Sequence, residues 1–110
     1  MAKNVNISSK TKNSKKRVTT DKQIVRVKPK GEIKFHNKLD STATLSFFDA
    51  DDKDGTAING FCKGKSGSSV TIGKGKMFKC VMTQPSDDYA YSVSAPGYEE
   101  LDPIIIIEPQ

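Results

Sequence analysis

Residues 31–37 read Gly31-Glu32-Ile33-Lys34-Phe35-His36-Asn37, and this heptad decides the class of fold. Ile33 and Phe35 fall on one face of an extended chain, with Glu32, Lys34 and His36 on the other, the period of two that a half-buried β-strand requires. Just upstream, Gln23 to Lys28 is a β-branched run closed by the turn signal Pro29-Lys30-Gly31. Downstream, Leu45 and Phe47 alternate with Thr44, Ser46 and Phe48, which predicts a strand covered on both sides near its end. Asp49 to Gly55 then reads as a polar loop, and Ile58 to Lys63 as a short strand beyond it.

The second half follows the same grammar. Val70 and Ile72 make a brief strand closed by Gly73-Lys74-Gly75, after which Phe78, Cys80 and Met82 point one way and Lys79 and Val81 the other. Pro85 to Asp88 is a turn, and Tyr89, Tyr91 and Val93 then oppose Ala90, Ser92 and Ser94. Ile104 to Ile107 is apolar on both faces, which suits an interior strand. No stretch of eleven residues carries a helical period, so any helix is confined to a turn or two between residues 50 and 61. Short strands punctuated every eight to twelve residues predict an all-β sandwich or barrel over residues 21–110.

Composition bounds the rest. A chain of 110 residues makes one small domain. With 35% hydrophobic residues and no Trp its core is modest, and its longest apolar run is far short of the roughly 20 residues that cross a bilayer. The formal net charge is +5, from 18 basic and 13 acidic residues. Residues 1–20 hold six of the basic residues and no acid, while the other 12 stand against all 13 acids. The excess charge therefore belongs to the first 20 residues. That segment is rich in Ser, Thr, Asn and Lys, with Val5, Ile7 and Val18 as its large apolar residues; by composition it is expected to be a disordered basic tail ahead of the sandwich. It carries no secretory leader, which implies either a cytoplasmic protein or one exported with its leader removed.

Residues 22–108 resemble the cupredoxin-like family, the Greek-key sandwiches that include plastocyanin and azurin. The resemblance rests on Gly31 to Asn37, which matches the family's glycine and a strand ending Phe-x-Asn, and on Thr44 to Asp49, Ser69 to Gly75, Tyr89 to Val93 and Asp102 to Pro109. It implies a Greek-key sandwich of about seven or eight strands. The family's copper chemistry does not follow. A type 1 centre needs two imidazoles and a thiolate, commonly with a weak axial Met. The first His position falls in Ser41 to Thr44, which has none; Val93 stands where the thiolate belongs; and His36 is the one His in the chain. Met77 and Met82 therefore read as packing residues, and neither metal nor other cofactor is expected.

Other motifs fail on spacing. Asp51, Asp52 and Asp54 with Gly55 resemble a calcium loop, but fixing Gly55 at position six puts Ala50 at one and Phe61 at twelve. Gly60 to Ser66 resembles a phosphate-binding P-loop with three intervening residues where four are required, and no long helix follows. A Ser or Cys nucleophile needs an imidazole beside it, and His36 reads as a surface residue, so no enzyme is expected. Tyr89 and Tyr91 read as core residues and Tyr98 as a loop cap. Cys62 and Cys80 allow one disulfide in an oxidising compartment and two small buried thiols in the cytosol.

The functional expectation is a non-catalytic, metal-free binding or structural module that engages a protein or other macromolecule through its loop ends or a sheet edge. The alternative is binding of nucleic acid or an anionic surface through Lys10, Lys12, Lys15, Lys16 and Arg17. The basic segment has no aromatic residue for base stacking.

Overall fold

The computed structural model describes residues 2–50, 55–101 and 103–108, Ile104 by its backbone alone. Among the described residues there are nine strands: β1 (Lys3–Lys12), β2 (Lys15–Thr20), β3 (Ile24–Val27), β4 (Glu32–Asn37), β5 (Ala43–Asp49), β6 (Ser69–Ile72), β7 (Met77–Val81), β8 (Asp87–Ser94) and β9 (Ile104–Ile107). They form two sheets, ordered β2-β1-β4-β7 and β3-β9-β8-β5-β6. Each sheet is mixed, because β1 pairs parallel with β4 and β3 parallel with β9. No helix occurs among the described residues, and so none long and apolar enough to cross a membrane.

The alternation seen in the sequence becomes the layer between the sheets. Ile33 and Phe35 of β4 are buried with Leu45 and Phe47 of β5, Tyr89, Tyr91 and Val93 of β8, and Ile105 and Ile107 of β9. Phe35 meets Tyr91 edge to face across the sandwich at 5.5 Å, and Phe47 stacks on Phe61 at 4.5 Å, arrangements that add to area burial. The Tyr91 hydroxyl is buried with no hydrogen-bond partner among the described residues, and that burial pushes its pKa up. As expected of an apolar run, β9 lies inside its sheet, between β3 and β8. The segment Ile58 to Lys63 forms no strand, only single bridges at its ends, Ala57 to Phe48 and Cys62 to Met82. A disulfide joins Cys62 to Cys80 of β7, both buried. It fixes the segment after β5, which carries Phe61, to the edge of the opposite sheet. The aspartates of the calcium-like stretch lie at 51–54, outside the described residues.

The expectation of a disordered tail over residues 1–20 is corrected. Residues 3–20 form an antiparallel hairpin, and β1 lies inside its sheet, between β2 and β4. Seven strands lie beyond residue 20, and the hairpin supplies the other two. The physical reason is that Val5, Ile7 and Val18 occupy inward positions and are at most 1% exposed, burial worth about 1.5–3 kcal/mol for each side chain. Composition averages the segment with its polar half and hides this. Asn13 and Ser14 supply a two-residue turn with φ of 52° and 64°, the left-handed pair that matches the twist of a tight hairpin.

Two measurements check this architecture. Ile7→Ala should cost about 2–5 kcal/mol in equilibrium unfolding, whereas a residue of a disordered tail would cost nothing. Replacing the Tyr91 hydroxyl by hydrogen in Tyr91→Phe should leave stability equal or raise it by about 1 kcal/mol, because a buried unsatisfied donor is removed; a fall in the melting temperature would show that the hydroxyl has a partner.

Candidate functional site: a basic loop end

Strand β1 passes the end of β4 where Ile7 pairs with Asn37. Beyond that point Ser8 to Lys12 continue with β2 alone, so the hairpin projects past one end of the sandwich. Its register pairs Lys10 with Arg17 and Lys12 with Lys15. Directly paired residues share a face, so these four cations stand on the outer side of the sheet, opposite to Val5, Ile7 and Val18. Lys16 pairs with Thr11 on the inner side, where its ammonium lies 5.7 Å from the centre of the Tyr98 ring. The structure thus brings all five candidate residues, Lys10, Lys12, Lys15, Lys16 and Arg17, onto one exposed hairpin, four on one face and Lys16 on the other.

The loop after β8 fastens the hairpin to the body. Glu99 lies against the free edge of β2: its amide donates to the Lys16 carbonyl at 2.9 Å, and its carbonyl accepts from the Val18 amide at 3.1 Å. The Glu99 carboxylate accepts from Arg17 Nε at 2.8 Å and stands 3.8 Å from Lys15 Nζ. Two residues on, Leu101 exchanges backbone hydrogen bonds with Val93 of the other sheet. Tyr98, the residue before Glu99, donates its hydroxyl to Asp40 Oδ1 at 2.5 Å. This bond, with the nearby charges of Lys16 and Lys74, holds the Asp40 carboxyl below its ordinary pKa; the same bond, with burial and the Asp40 charge, raises that of Tyr98.

Asn37 organises the neighbouring loops. Its side chain is buried, donates to the carbonyls of Ser41 (2.9 Å), Ile72 (3.0 Å) and Gly73 (3.2 Å), and accepts from the Leu39 amide at 3.0 Å. Its own amide donates to the Lys76 carbonyl at 2.9 Å. The turns at 38–41 and 73–76 are therefore held together from beneath. Between them opens a groove of about 480 Å³, lined among others by His36, Lys38, Asp40, Lys74, Lys76 and Met77. Sequence reasoning missed this groove, because its lysines come from two turns that only the sheet pairing brings together.

The donors for a type 1 copper centre are not assembled. Val93 is buried at the thiolate position, both cysteines are consumed in the disulfide, and His36, on the outer face of β4, has its Nε2 3.0 Å from Asn4 Oδ1. Among the described residues no group of three or more His, Cys, Asp or Glu side chains is placed to hold a metal ion. Met82 is buried and Met77 half exposed at the sheet edge. Tyr89 and Tyr91 are core residues, while Tyr98 tethers the loop end to Asp40.

No protein-family model matches the sequence, and no curated protein matches it. Solved structures do. A point mutant of amicyanin in its reduced Cu(I) form aligns over 97% of this chain and 82% of its own, at 15% identity and TM-score 0.58. A multi-copper oxidase from Pseudomonas thermotolerans aligns over 99% of this chain, at 13% identity and TM-score 0.63, and the copper nitrite reductase from Nitrosomonas europaea over 100%, at 16% and 0.52. This chain spans 29% and 42% of those two enzymes. The fold is cupredoxin-like, and the likeness extends to the fold alone.

The Tyr98 tether has a titration signature. Because the folded-state pKa of Asp40 is depressed, its contribution to stability is present above the ordinary carboxylate range and is lost as pH falls through the lowered value. Tyr98→Phe should move the Asp40 carboxyl resonance to titrate at higher pH; an unchanged midpoint would mean that the hydrogen bond does not form in solution.

Proposed function

We propose that this domain is a non-catalytic, metal-free binding module whose partner is a polyanion seated on the outer face of the β1–β2 hairpin. The observation that carries the reading is the cross-strand pairing of Lys10 with Arg17 and Lys12 with Lys15 on a face that projects beyond the sandwich. Like charges placed directly opposite one another destabilise a hairpin in isolation, and an anionic partner converts that cost into attraction. Glu99 is the acid that offsets two of them, and it reaches Arg17 and Lys15 from the loop beside β2. Lys10 and Lys12, on the central strand, have no carboxylate within salt-bridge distance among the described residues.

The chemistry of the hairpin narrows how such a partner is held. From Ser8 to Arg17 there is no apolar or aromatic side chain, so the hairpin offers nothing to insert into a hydrocarbon layer and no platform for stacking bases. What it offers is an array of charges carried on two paired strands. Binding then comes from released counterions and weakens steeply with salt, by a slope close to one unit for each phosphate neutralised.

Heparin, used as a generic polyanion, tests the proposal. The protein should bind it with an affinity that falls log-linearly across a salt series, and Lys10→Glu with Lys12→Glu should weaken binding at least tenfold and lower the slope by about two. The melting temperature of the double variant should stay close to the parent's, since both side chains are exposed. Salt-independent binding, or retention of full affinity by a folded double variant, would exclude the hairpin as the docking element.

A further inference from the structure

We infer that the groove between the turns at 38–41 and 73–76 is a second anion site, and that it and the hairpin form one track for a single linear polyanion. The inference rests on the proposed hairpin function and extends it to a part of the molecule that the basic segment does not include.

Three observations support it. First, the groove is cationic: Lys38, Lys74 and Lys76 line it, and its one carboxylate among the described residues, Asp40, already accepts a hydrogen bond from Tyr98 and lies near the charges of Lys16 and Lys74. Second, the walls are preorganised, because the buried Asn37 ties both turns to β4 through its side chain and amide. An anion entering there need not order the backbone that receives it, which removes a large cost of binding. Third, one wall of the groove lies on the same outer face of the sheet as the hairpin's four cations. His36 and Met77 are register partners on the outer face, Asn6 is level with His36, and Lys10 and Lys12 follow Asn6 on that face with Arg17 and Lys15 beside them.

The spacing decides the kind of ligand. Lys10 lies four residues beyond the level of His36 and Lys12 six, about 14 and 20 Å along an extended strand. At physiological salt, charges separated by more than about 8 Å are largely screened, so an anion in the groove and another on the hairpin do not sense one another through solvent. A chain long enough to occupy both is held at a high effective concentration at the second site once bound at the first. The groove is concave, so a flat bilayer resting on this face leaves it empty. The track is only two strands wide at the hairpin and lacks aromatic side chains, which suits a flexible chain of phosphates or sulfates with no bases to stack.

Inorganic polyphosphate supplies the probe. Tripolyphosphate is too short to join the two sites, and long-chain polyphosphate spans them. The parent protein should bind the long chain at least tenfold more tightly per phosphate. The triple variant Lys38→Gln, Lys74→Gln, Lys76→Gln should fold normally by circular dichroism and lose that gain, while the hairpin variant Lys10→Glu with Lys12→Glu loses it as well. A heparin oligosaccharide long enough to span both sites, in place of polyphosphate, reports whether sulfate serves as well as phosphate. If the triple variant keeps the gain, or if duplex DNA or phosphatidylserine vesicles bind more tightly than the linear chain and depend equally on the three lysines, the track is overturned and the hairpin reading stands. If the parent protein binds no polyanion and the hairpin variant changes nothing, both readings fall together.

Discussion

The parallel pairing of β1 with β4 is the constraint on which the rest of the molecule depends. It places Val5 beside Phe35 and Ile7 beside Asn37, and so turns a segment that is mostly polar into an inner strand of the sheet. With β1 in that position, β2 forms the edge, and the residues of β1 beyond Ile7 pair with no strand except β2. The projecting hairpin follows from a difference in length: β1 has ten residues and β4 has six. Lys10 and Lys12 lie beyond the end of β4 because the apolar half of β1 is anchored, and the anchor is worth several kcal/mol of buried surface.

The second consequence concerns the loop end. In a sandwich the turns at one end are close in space but owe their relative positions to little more than the strands that carry them. Here they are tied directly. Asn37 links the end of β4 to the turns at 38–41 and 73–76, Tyr98 links the loop after β8 to Asp40, and Glu99 links that loop to β2. Residues 99–101 bond to β2 in one sheet and to β8 in the other. A loop end tied in this way has its backbone ordered already, so the entropy of ordering it does not have to be met by any further contact.

Much of this fold is written locally in the chain, and the parts that are not share one cause. The alternation in residues 32–37, 44–48 and 89–93 appears as strands with the expected faces inward, since period-two burial needs nothing but neighbouring residues to be visible. The hairpin was hidden because Val5 and Ile7 give only one cycle of alternation before the polar half begins, and their burial is supplied by β4 some thirty residues away. Its signals were present in Asn4-Val5-Asn6-Ile7 and in Asn13 at a turn position, but composition outweighs them over twenty residues. Tyr98 and Asp40 are 58 residues apart, and the lysines of the groove come from turns that meet only through the sheet. Non-local pairing creates these features, and no window along the sequence contains both halves.

The same reasoning explains why fold and chemistry part company. In a cupredoxin sandwich the turns at one end converge whatever residues they carry, because strand order sets their positions. Soft and imidazole donors on those turns give a metal centre. Here Val93 is apolar, both cysteines are committed to a bridge away from that end, and the turns carry lysine, asparagine and tyrosine. Ammonium groups repel cations and attract anions, so convergence of the same turns here gathers charge of the sign that disfavours a metal ion. The frame decides that turns converge at this end, and the residues placed on it decide the sign of the charge they present.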